Sequence, residues 1–318
     1  MKDKPIILIA LGGNAPIQKG QKGTTEEQLE NLRLPTRKIV KLCQDYRVVI
    51  THGNGPQVGN LLLQQESCRE VPIMPLDIVG AMTEGQIGYM IESSLDKAMN
   101  EQGINVRFFL SLITYTVLDE NDQYFKNPTK PVGPFYTEAE AANLPYTMVK
   151  TDKGFRRVVP SPKPVRIIQH REIKKLVDMD FIVICTGGGG IPVIRDGNGF
   201  RGVEAVIDKD LASSKLAQEI GADIFIIASD VRGASINWGK PNQELLGWVS
   251  VDAMKQHVKD GHFPEGSMGP KVEAIINFVD FTGALGVICH LDDIDKAVAG
   301  EAGTIIVKQA EYPLAKSA

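Results

Sequence analysis

Short apolar runs alternate with longer amphipathic segments along most of this chain, and this alternation constrains its fold more than any other feature of the sequence. The apolar runs are rich in Ile and Val, which is typical of buried strands, and they lie at 6–11, 48–51, 106–110, 181–185, 224–227 and 286–289. The segments between them carry apolar residues three and four positions apart, which is typical of helices, and include 26–45, 80–102, 211–221 and 271–283. This pattern predicts an α/β protein with a largely parallel central sheet.

Prolines recur between residues 126 and 164, where the alternation stops. Proline lacks a backbone N–H and fits neither a helix interior nor a central strand. Phe135, Tyr136, Tyr146 and Phe155 nevertheless give this stretch apolar surface for packing. We therefore expect a small ordered excursion, which could act as a lid, rather than a disordered insertion.

Charge and cysteine usage narrow the class of protein. A net charge of −4 offers no basic footprint, so we expect no nucleic-acid partner. No apolar run approaches the roughly 20 residues that span a bilayer, and residues 1–5 do not form a secretory signal. The cysteines show no CxxC spacing, which indicates reduced thiols, and they are Cys43, Cys68, Cys185 and Cys289. These features predict a cytoplasmic protein without a membrane partner.

Three of the predicted strands end in glycine clusters. The clusters contain Gly12, Gly13 and Asn14 after the first strand, Gly53, Asn54 and Gly55 after the second, and Gly187 and Gly188 after 181–185. Glycine lets backbone N–H groups approach an anion, and a following helix N-terminus favours negative charge. Because the carboxyl ends of parallel strands meet at one edge of a sheet, we expect the three clusters to form a single phosphate site.

The common phosphate-binding patterns do not account for these clusters. The P-loop pattern is absent, since Gly239 and Lys240 are followed by Pro241. The dinucleotide pattern is nearly present at Gly53, but its third glycine comes one residue late, at Gly59. The sequence therefore favours phosphoryl chemistry over hydride transfer.

Three lysines lie near predicted helix starts or beside prolines and glycines. Lys209 stands between Asp208 and Asp210, just before a predicted helix. Lys271 follows a Gly-Pro pair, and Lys130 lies in a Pro-Thr-Lys-Pro stretch. A single lysine is usually a solvated surface residue, but constrained lysines are candidates to neutralise phosphate charge.

These motifs together resemble those of carbamate kinases, which belong to the amino acid kinase family. The resemblance covers nearly the whole chain and is carried by 10–15, 51–60, 80–89, 128–136, 156–162, 202–212, 266–271 and 304–307. It implies a three-layer αβα sandwich with a mainly parallel sheet, assembled as a homodimer. It further implies an acceptor-binding lobe over 1–215, a protruding subdomain within it at about 126–164, and a nucleotide-binding lobe over 216–318.

The resemblance also implies roles for particular residues. The first two glycine clusters would line the transferring phosphoryl group. Lys209 and Lys271 would hold phosphoryl oxygens, and Asp210 would orient both lysines. Lys130 would reach in from the protruding subdomain, and Lys209 would supply a charge that relatives carry in the first glycine loop. The residues implied to bind nucleotide are Ser229, Asp230, Val231, Ala234, Met268, Gly269 and Pro270.

The implied reaction is reversible phosphoryl transfer between ATP and carbamate. Carbamate is already an anion, so positioning and charge neutralisation suffice and no strong base is required. Mg²⁺ would be held mainly by the nucleotide phosphates and water, with no protein ligand of its own. Arg232 and Ala234 depart from the family pattern, which leaves open a changed nucleotide affinity, a specialised member or neutral drift. Two alternatives stand beside this activity: another amino acid kinase acting on a larger carboxylate, and a non-catalytic nucleotide-binding paralogue.

Overall fold

The computed structural model describes residues 4–13, 15–18, 20–68, 70–104, 108–264 and 267–309. The strands are β1 (Ile6–Leu11), β2 (Arg47–His52), β3 (Phe109–Leu112), β4 (Tyr115–Val117), β5 (Lys130–Tyr136), β6 (Met148–Thr151), β7 (Gly154–Val159), β8 (Arg166–Ile167), β9 (Ile182–Cys185), β10 (Ile191–Asp196), β11 (Gly199–Gly202), β12 (Ile224–Ser229), β13 (Ser235–Ile236), β14 (Glu244–Leu245), β15 (Trp248–Ser250), β16 (Leu285–His290) and β17 (Thr304–Val307). The α-helices are α1 (Thr25–Leu42), α2 (Gly55–Ser67), α3 (Leu76–Gln102), α4 (Glu138–Ala141), α5 (His170–Asp178), α6 (Lys209–Ile220), α7 (Val251–Lys259), α8 (Met268–Thr282) and α9 (Ile294–Val298). Within the described ranges, none of these helices is long and apolar enough to cross a membrane.

Eight strands form the central sheet in the order β15-β17-β16-β12-β1-β2-β9-β3. Every neighbouring pair is parallel except β16 and β17. The predicted parallel sheet is therefore confirmed. The predicted strand at 106–110 lies partly outside the described residues, and the strand that the structure describes there runs from Phe109 to Leu112.

Strand β1 lies inside this sheet and shows why the molecule has three layers. All six of its residues are buried. Ile6, Leu8 and Ala10 belong to an apolar core shared with helices α5 to α8. Ile7, Ile9 and Leu11, which alternate with them, belong to a second core shared with α1, α3 and α9. Because side chains alternate along a strand, each face of the sheet is covered by helices, and the predicted αβα sandwich is confirmed.

The proline-rich stretch folds into a separate antiparallel sheet in the order β5-β7-β6. Pro131 and Pro134 lie in β5, an edge strand, where a missing N–H costs least. This sheet rests on α2 and α3 through a small apolar cluster that contains Val58, Leu62, Leu76, Val79, Val132 and Val159. The Tyr136 hydroxyl adds a hydrogen bond of 2.7 Å to Glu66 of α2. The expected ordered excursion is thus a three-stranded sheet fixed to the main body.

The carboxyl ends of β12, β1, β2 and β9 lie side by side, since these strands are consecutive and parallel. The glycine clusters follow three of these strands. As predicted, they meet at one edge of the sheet. Two further sheets are smaller, one in the order β11-β10-β4-β8 and one formed by β13 and β14.

Candidate active site

The first two glycine loops are in direct contact. The Gly12 N–H donates to the Ala228 carbonyl at 2.8 Å, and the Gly53 N–H donates to the Leu11 carbonyl at 3.1 Å. A Cβ atom on Gly53 would lie 2.7 Å from Gly13 Cα and 2.9 Å from Gly13 N. Only glycine permits this approach, because the neighbouring atoms are backbone. Asn14, predicted to line the same site, lies outside the described residues.

The third glycine loop packs onto the second. A Cβ atom on Gly188 would lie 2.0 Å from Asn54 Nδ2, and one on Gly187 would lie 2.5 Å from His52 Cε1. The loop begins at Thr186, whose φ of 53° is unusual for a β-branched residue. Gly187, Gly188, Asn54 and the first two loops are therefore brought together as the sequence predicted.

Two helix N-termini at this edge lack a cap from their own N-cap side chain. Asn54 precedes α2 but donates its side-chain amide to Thr83 Oγ1 at 2.9 Å instead of capping the helix. Ser267 precedes α8 and makes no capping hydrogen bond either. Helix N-termini present N–H groups and a partial positive charge, so both are suited to bind phosphate oxygens.

Asp210 is buried between two lysines. Its Oδ1 atom forms an ion pair with Lys209 Nζ, and its Oδ2 atom forms a second ion pair, of 2.9 Å, with Lys271 Nζ. Burial would raise the pKa of Asp210, but the two ammonium groups outweigh it and hold that pKa below its usual value. The carboxylate therefore stays ionised and fixes two positive charges beside each other.

Lys209 extends towards the glycine loops. Its Cδ atom lies 3.1 Å from the position of a Cβ on Gly53. Burial lowers the pKa of Lys209, because a charged ammonium loses hydration there, although Asp210 acts in the opposite direction. The arrangement puts the Lys209 side chain against the turn that precedes helix α2.

Asp208 connects the three-stranded sheet to this lysine pair. One carboxylate oxygen caps helix α6 by accepting from the Asp210 and Leu211 N–H groups. The other lies 3.3 Å from Lys130 Nζ. The sequence singled out Lys130 but assigned no role to Asp208. An aspartate directly before a predicted helix is a capping signal and could have identified it.

A cavity of about 420 Å³ opens beside Lys271 and Gly13. Four of the residues predicted to bind nucleotide line it, namely Ser229, Asp230, Val231 and Met268. Residues that the sequence analysis did not assign also line it, among them Trp238, His262 and Phe263. Its aromatic walls and polar end suit a flat base joined to a charged chain.

Three further residues that were predicted to bind nucleotide are not among the residues that line this cavity. Ala234 is fully buried, and its N–H donates to Thr304 Oγ1 at 2.8 Å. The Gly269 N–H donates to the Pro264 carbonyl at 3.0 Å, and Pro270 follows it in the first turn of α8. Arg232 is exposed in the loop after β12.

Two buried titratable side chains flank Gly187. A Cβ on this glycine would contact His52 Cε1 at 2.5 Å and Glu84 Cγ at 3.0 Å. Burial raises the pKa of Glu84 to about 8, although the Thr114 N–H donates to it at 2.9 Å. Burial lowers the pKa of His52 to about 4, because the protonated imidazole is the charged form. Both groups are therefore predominantly neutral at neutral pH.

Neither Glu84 nor His52 was predicted from the sequence as a site residue. Glu84 falls on the buried face of α3, with Thr83, Ile87 and Gly88. A charged residue on the apolar face of a predicted helix is a signal that could have marked it. His52 ends a buried strand just before the second glycine loop.

The sequence matches the amino acid kinase family over residues 5–288. The carbamate kinase of Thermococcus kodakarensis is 50% identical over 313 residues, covering 95% of this chain and 99% of that protein. The carbamate kinase of Haemophilus influenzae is 47% identical, covering 96% of this chain and 97% of that protein. Among solved structures, the carbamate kinase from Giardia lamblia bound to AMP-PNP has a TM-score of 0.92 at 42% identity, covering 97% of this chain and 100% of that chain.

Proposed function

This chain belongs to the amino acid kinase family, in its carbamate kinase branch, and we propose that it transfers phosphoryl groups at the point where the glycine loops meet Lys209, Asp210 and Lys271. Its reaction is reversible phosphoryl transfer between ATP and carbamate. The observation that carries the proposed site is the ionised Asp210, which holds two ammonium groups beside the phosphate-binding loops. No observation favours the larger-carboxylate kinase or the non-catalytic paralogue.

The proposed chemistry is an in-line displacement at the γ-phosphorus. A carbamate oxygen attacks, and the bond from that phosphorus to the β,γ-bridging oxygen breaks, giving carbamoyl phosphate and ADP. Negative charge spreads over the transferring oxygens, and Lys209, Lys271 and the loop N–H groups neutralise it. Removing one such donor typically costs about 100- to 1,000-fold in rate.

No side chain has to act as a general base in this mechanism, because carbamate is an anion. His52 supports that proposal. Its ring Nδ1 lies 3.1 Å from the Gly53 carbonyl, and burial lowers its pKa to about 4. A buried neutral imidazole tied to the loop backbone is suited to hold that loop in position.

We further propose that the nucleotide base lies in the 420 Å³ cavity and its phosphates at the N-terminus of α8. The solved relative bound to AMP-PNP supports a nucleotide at this family's site. Most lining residues fall after residue 216, which supports the division into an acceptor lobe over 1–215 and a nucleotide lobe over 216–318. Lys130, on the three-stranded sheet, would complete the acceptor side.

Mg²⁺ is the proposed companion of the nucleotide. Asp210 is already bonded to two lysines, and Asp208 to Lys130 and the start of α6, so neither carboxylate is a ready metal ligand. The ion would therefore be held mainly by phosphate oxygens and water, as Mg²⁺ commonly is. When bound, it would neutralise charge shared between the β- and γ-phosphates.

We propose that the physiological direction is ATP synthesis, because a carboxylic–phosphoric anhydride is a high-energy donor. That direction would connect the chain to carbamoyl phosphate made in arginine metabolism. Comparing both catalytic directions at cellular metabolite concentrations tests it. A cytoplasmic location is also proposed, supported by the free thiols of Cys68, Cys185 and Cys289.

A homodimer is proposed as the assembly. Helix α3 exposes an apolar stripe in which Ile78, Met82 and Tyr89 are 44%, 45% and 68% exposed. These positions share one helical face, and the exposed Gly85 lies between them on the same face, where it permits close approach of a partner helix. An exposed apolar stripe of this length is typical of a protein interface.

The proposed site is tested by mixing the purified chain with carbamoyl phosphate, ADP and Mg²⁺ and following ATP formation. Wild type should form ATP, and Lys271→Ala should lower kcat at least 100-fold while the protein remains folded. Lys255→Ala, which removes a partly exposed ion pair between Lys255 and Asp280 outside the glycine loops, is the matched control. Equal rates for the Lys271 variant and the control would refute the assignment of Lys271 to the phosphoryl-transfer site.

A further inference from the structure

A compact group of metal-binding side chains lies at the end of helix α7, outside the phosphoryl site. The group, here called the His-Asp-His cluster, consists of His257, Asp260 and His262. One ligand atom from each residue lies within 4.8 Å of the other two. The two imidazole rings are 5.6 Å apart at their centroids and inclined at 65°.

The helix cap creates this juxtaposition. Gly261 adopts a left-handed φ of 75° directly after the C-cap residue Asp260. The His262 N–H then donates to the His257 carbonyl at 3.1 Å, and the Gly261 N–H donates to the Val258 carbonyl at 3.0 Å. This pair of bonds is a Schellman motif, and it folds the chain back so that His262 returns over His257.

Two imidazoles and a carboxylate are a set of ligands that suits a borderline-soft transition-metal dication. In a tetrahedral zinc site with bonds of about 2.0–2.1 Å, ligand atoms are about 3.3 Å apart. Ligand atoms already within 4.8 Å need only small side-chain rotations to close around an ion. Mg²⁺ prefers an all-oxygen octahedral shell and would not be selected here.

We propose that the His-Asp-His cluster is a binding site for a transition-metal dication, with Zn²⁺ as the best-fitting ion, and that its occupancy weakens nucleotide binding. Three protein ligands would leave a fourth position for water. Asp260 is exposed, so an ion can reach the site from solvent. The effect on the nucleotide rests on the proposed function, whereas the metal site itself does not.

The link to the nucleotide runs through His262, which also lines the 420 Å³ cavity. Its Nδ1 accepts a long hydrogen bond, 3.4 Å, from the Asn237 N–H. Zinc bound through Nδ1 would replace that bond, and zinc bound through Nε2 would require a proton on Nδ1; either way the bond is lost. Asn237 has a left-handed φ of 52°, a conformation that depends on its neighbours, and it precedes the cavity residue Trp238.

The first experiment measures Zn²⁺ binding to the full-length, tag-free chain by calorimetry, without nucleotide or substrate. Wild type should bind one equivalent. His257→Gln and Asp260→Asn should each weaken zinc binding at least tenfold, because each removes a ligand. His170→Gln, which removes a histidine at the start of α5, should leave binding unchanged. Thermal unfolding without metal checks that each variant is folded.

The second experiment measures ADP affinity with and without Zn²⁺ in wild type and in the His257→Gln, Asp260→Asn double variant. Zinc also binds ADP directly, but this contribution is equal for both proteins. Zinc should weaken ADP binding more in wild type, and ADP should weaken zinc binding by the same factor. Equal zinc affinity in wild type and the double variant would overturn the site. Zinc binding with identical ADP affinities would overturn the link, and neither result depends on catalysis.

Discussion

Asp210 holds two lysines in place at once, and this makes its carboxylate the most consequential side chain of the proposed site. Without it, Lys209 and Lys271 would lie close together as like charges, each with less than a fifth of its side chain exposed. Like charges in a poorly solvated site repel each other. The positions of both phosphate-binding ammonium groups therefore depend on a single carboxylate.

We predict that Asp210→Asn lowers kcat for ATP formation by about 100- to 1,000-fold, comparable to loss of a direct phosphate donor. It should also lower the free energy of unfolding by about 3–5 kcal/mol, since two partly buried charges lose their partner. Steady-state kinetics and urea unfolding measure the two effects. Asp252→Asn, an aspartate with 85% of its side chain exposed, is the control. If both variants lose activity equally, Asp210 has no special role.

The pKa values of Glu84 and His52 give the stability of the fold a defined pH dependence. The pKa of Glu84 is about 8 in the folded chain against an ordinary value of 4.5, so between these values the folded chain holds a proton that the unfolded chain has lost. His52 has a folded pKa of about 4 against 6.5, so between these values the unfolded chain holds the extra proton. Their contributions to the pH slope oppose each other below pH 6.5, and only that of Glu84 remains above it.

We therefore predict that Glu84 makes the free energy of unfolding fall between pH 6.5 and 8, by up to about 1.4 kcal/mol per pH unit. Glu84→Gln keeps the shape of the side chain but stays neutral at every pH. The pH slope of its free energy of unfolding over this range should therefore be less steep than that of wild type, by the contribution of up to one bound proton. Urea unfolding at several pH values measures the slopes. Glu30→Gln, on the surface of α1, should retain the wild-type slope. Identical slopes in wild type and Glu84→Gln would show that Glu84 ionises normally.

At this scale the sequence predicted the charges better than their partners. Lys130, Lys209 and Lys271 were visible because neighbouring prolines, glycines or helix starts constrain them. The pairing of Lys271 with Asp210, 61 positions apart, was implied only by the family resemblance, and the pairing of Lys130 with Asp208, 78 positions apart, was not predicted. Such contacts arise only when separate elements pack together.

The first two glycine loops form one structural unit, because Gly53 lies directly against the backbone of Gly13. We predict that Gly53→Ala forces these loops apart and lowers kcat at least 100-fold, with a loss of about 1–3 kcal/mol in stability. Gly59→Ala in α2 is the matched control, because its added methyl group meets no atom within 4 Å. It should raise stability by up to about 1 kcal/mol, as helical alanines do. Wild-type kinetics for Gly53→Ala would contradict this account.

The three-stranded sheet contributes Lys130 to the start of α6. We predict that Lys130→Met lowers kcat/KM for carbamoyl phosphate at least tenfold but changes stability by less than about 1 kcal/mol, because its ion pair with Asp208 is partly exposed. Kinetics and thermal unfolding measure the two effects. Lys163→Met, at an exposed ion pair with Glu273, is the control and should alter neither quantity appreciably. A large loss of stability would instead make Lys130 a structural residue.

The elements that the sequence identified are those with strong local patterns. Strands such as β1 and β12 are continuous apolar runs, and α3 is long enough to show its periodicity. The nine-residue helix α7 gave too short a pattern to be recognised. Prolines excluded core elements at 126–164 but did not reveal how the strands pair there, since pairing depends on contacts that are remote in sequence.

For the whole molecule, the main prediction concerns the proposed dimer interface, which is the apolar stripe formed by Ile78, Met82 and Tyr89. We predict that Met82→Asp converts a dimer to a monomer, because a carboxylate would be buried without a partner at the proposed interface. Sedimentation measures the change. Met179→Asp is the control, since Met179 is 67% exposed after α5. A Met82→Asp variant that remains dimeric would show that another surface forms the contact.

The position of β1 also has a consequence for how the chain matures during its synthesis. This first strand is paired on one side with β2, but its other neighbour is β12, and the Ile6 N–H bonds to Asp223 across 217 positions. At ribosomal rates of about 5–20 residues per second, that partner emerges roughly 10–40 s later. Throughout this interval the first strand has an apolar, unpaired edge, so the nascent chain depends on shielding from aggregation until the second half of the sheet arrives.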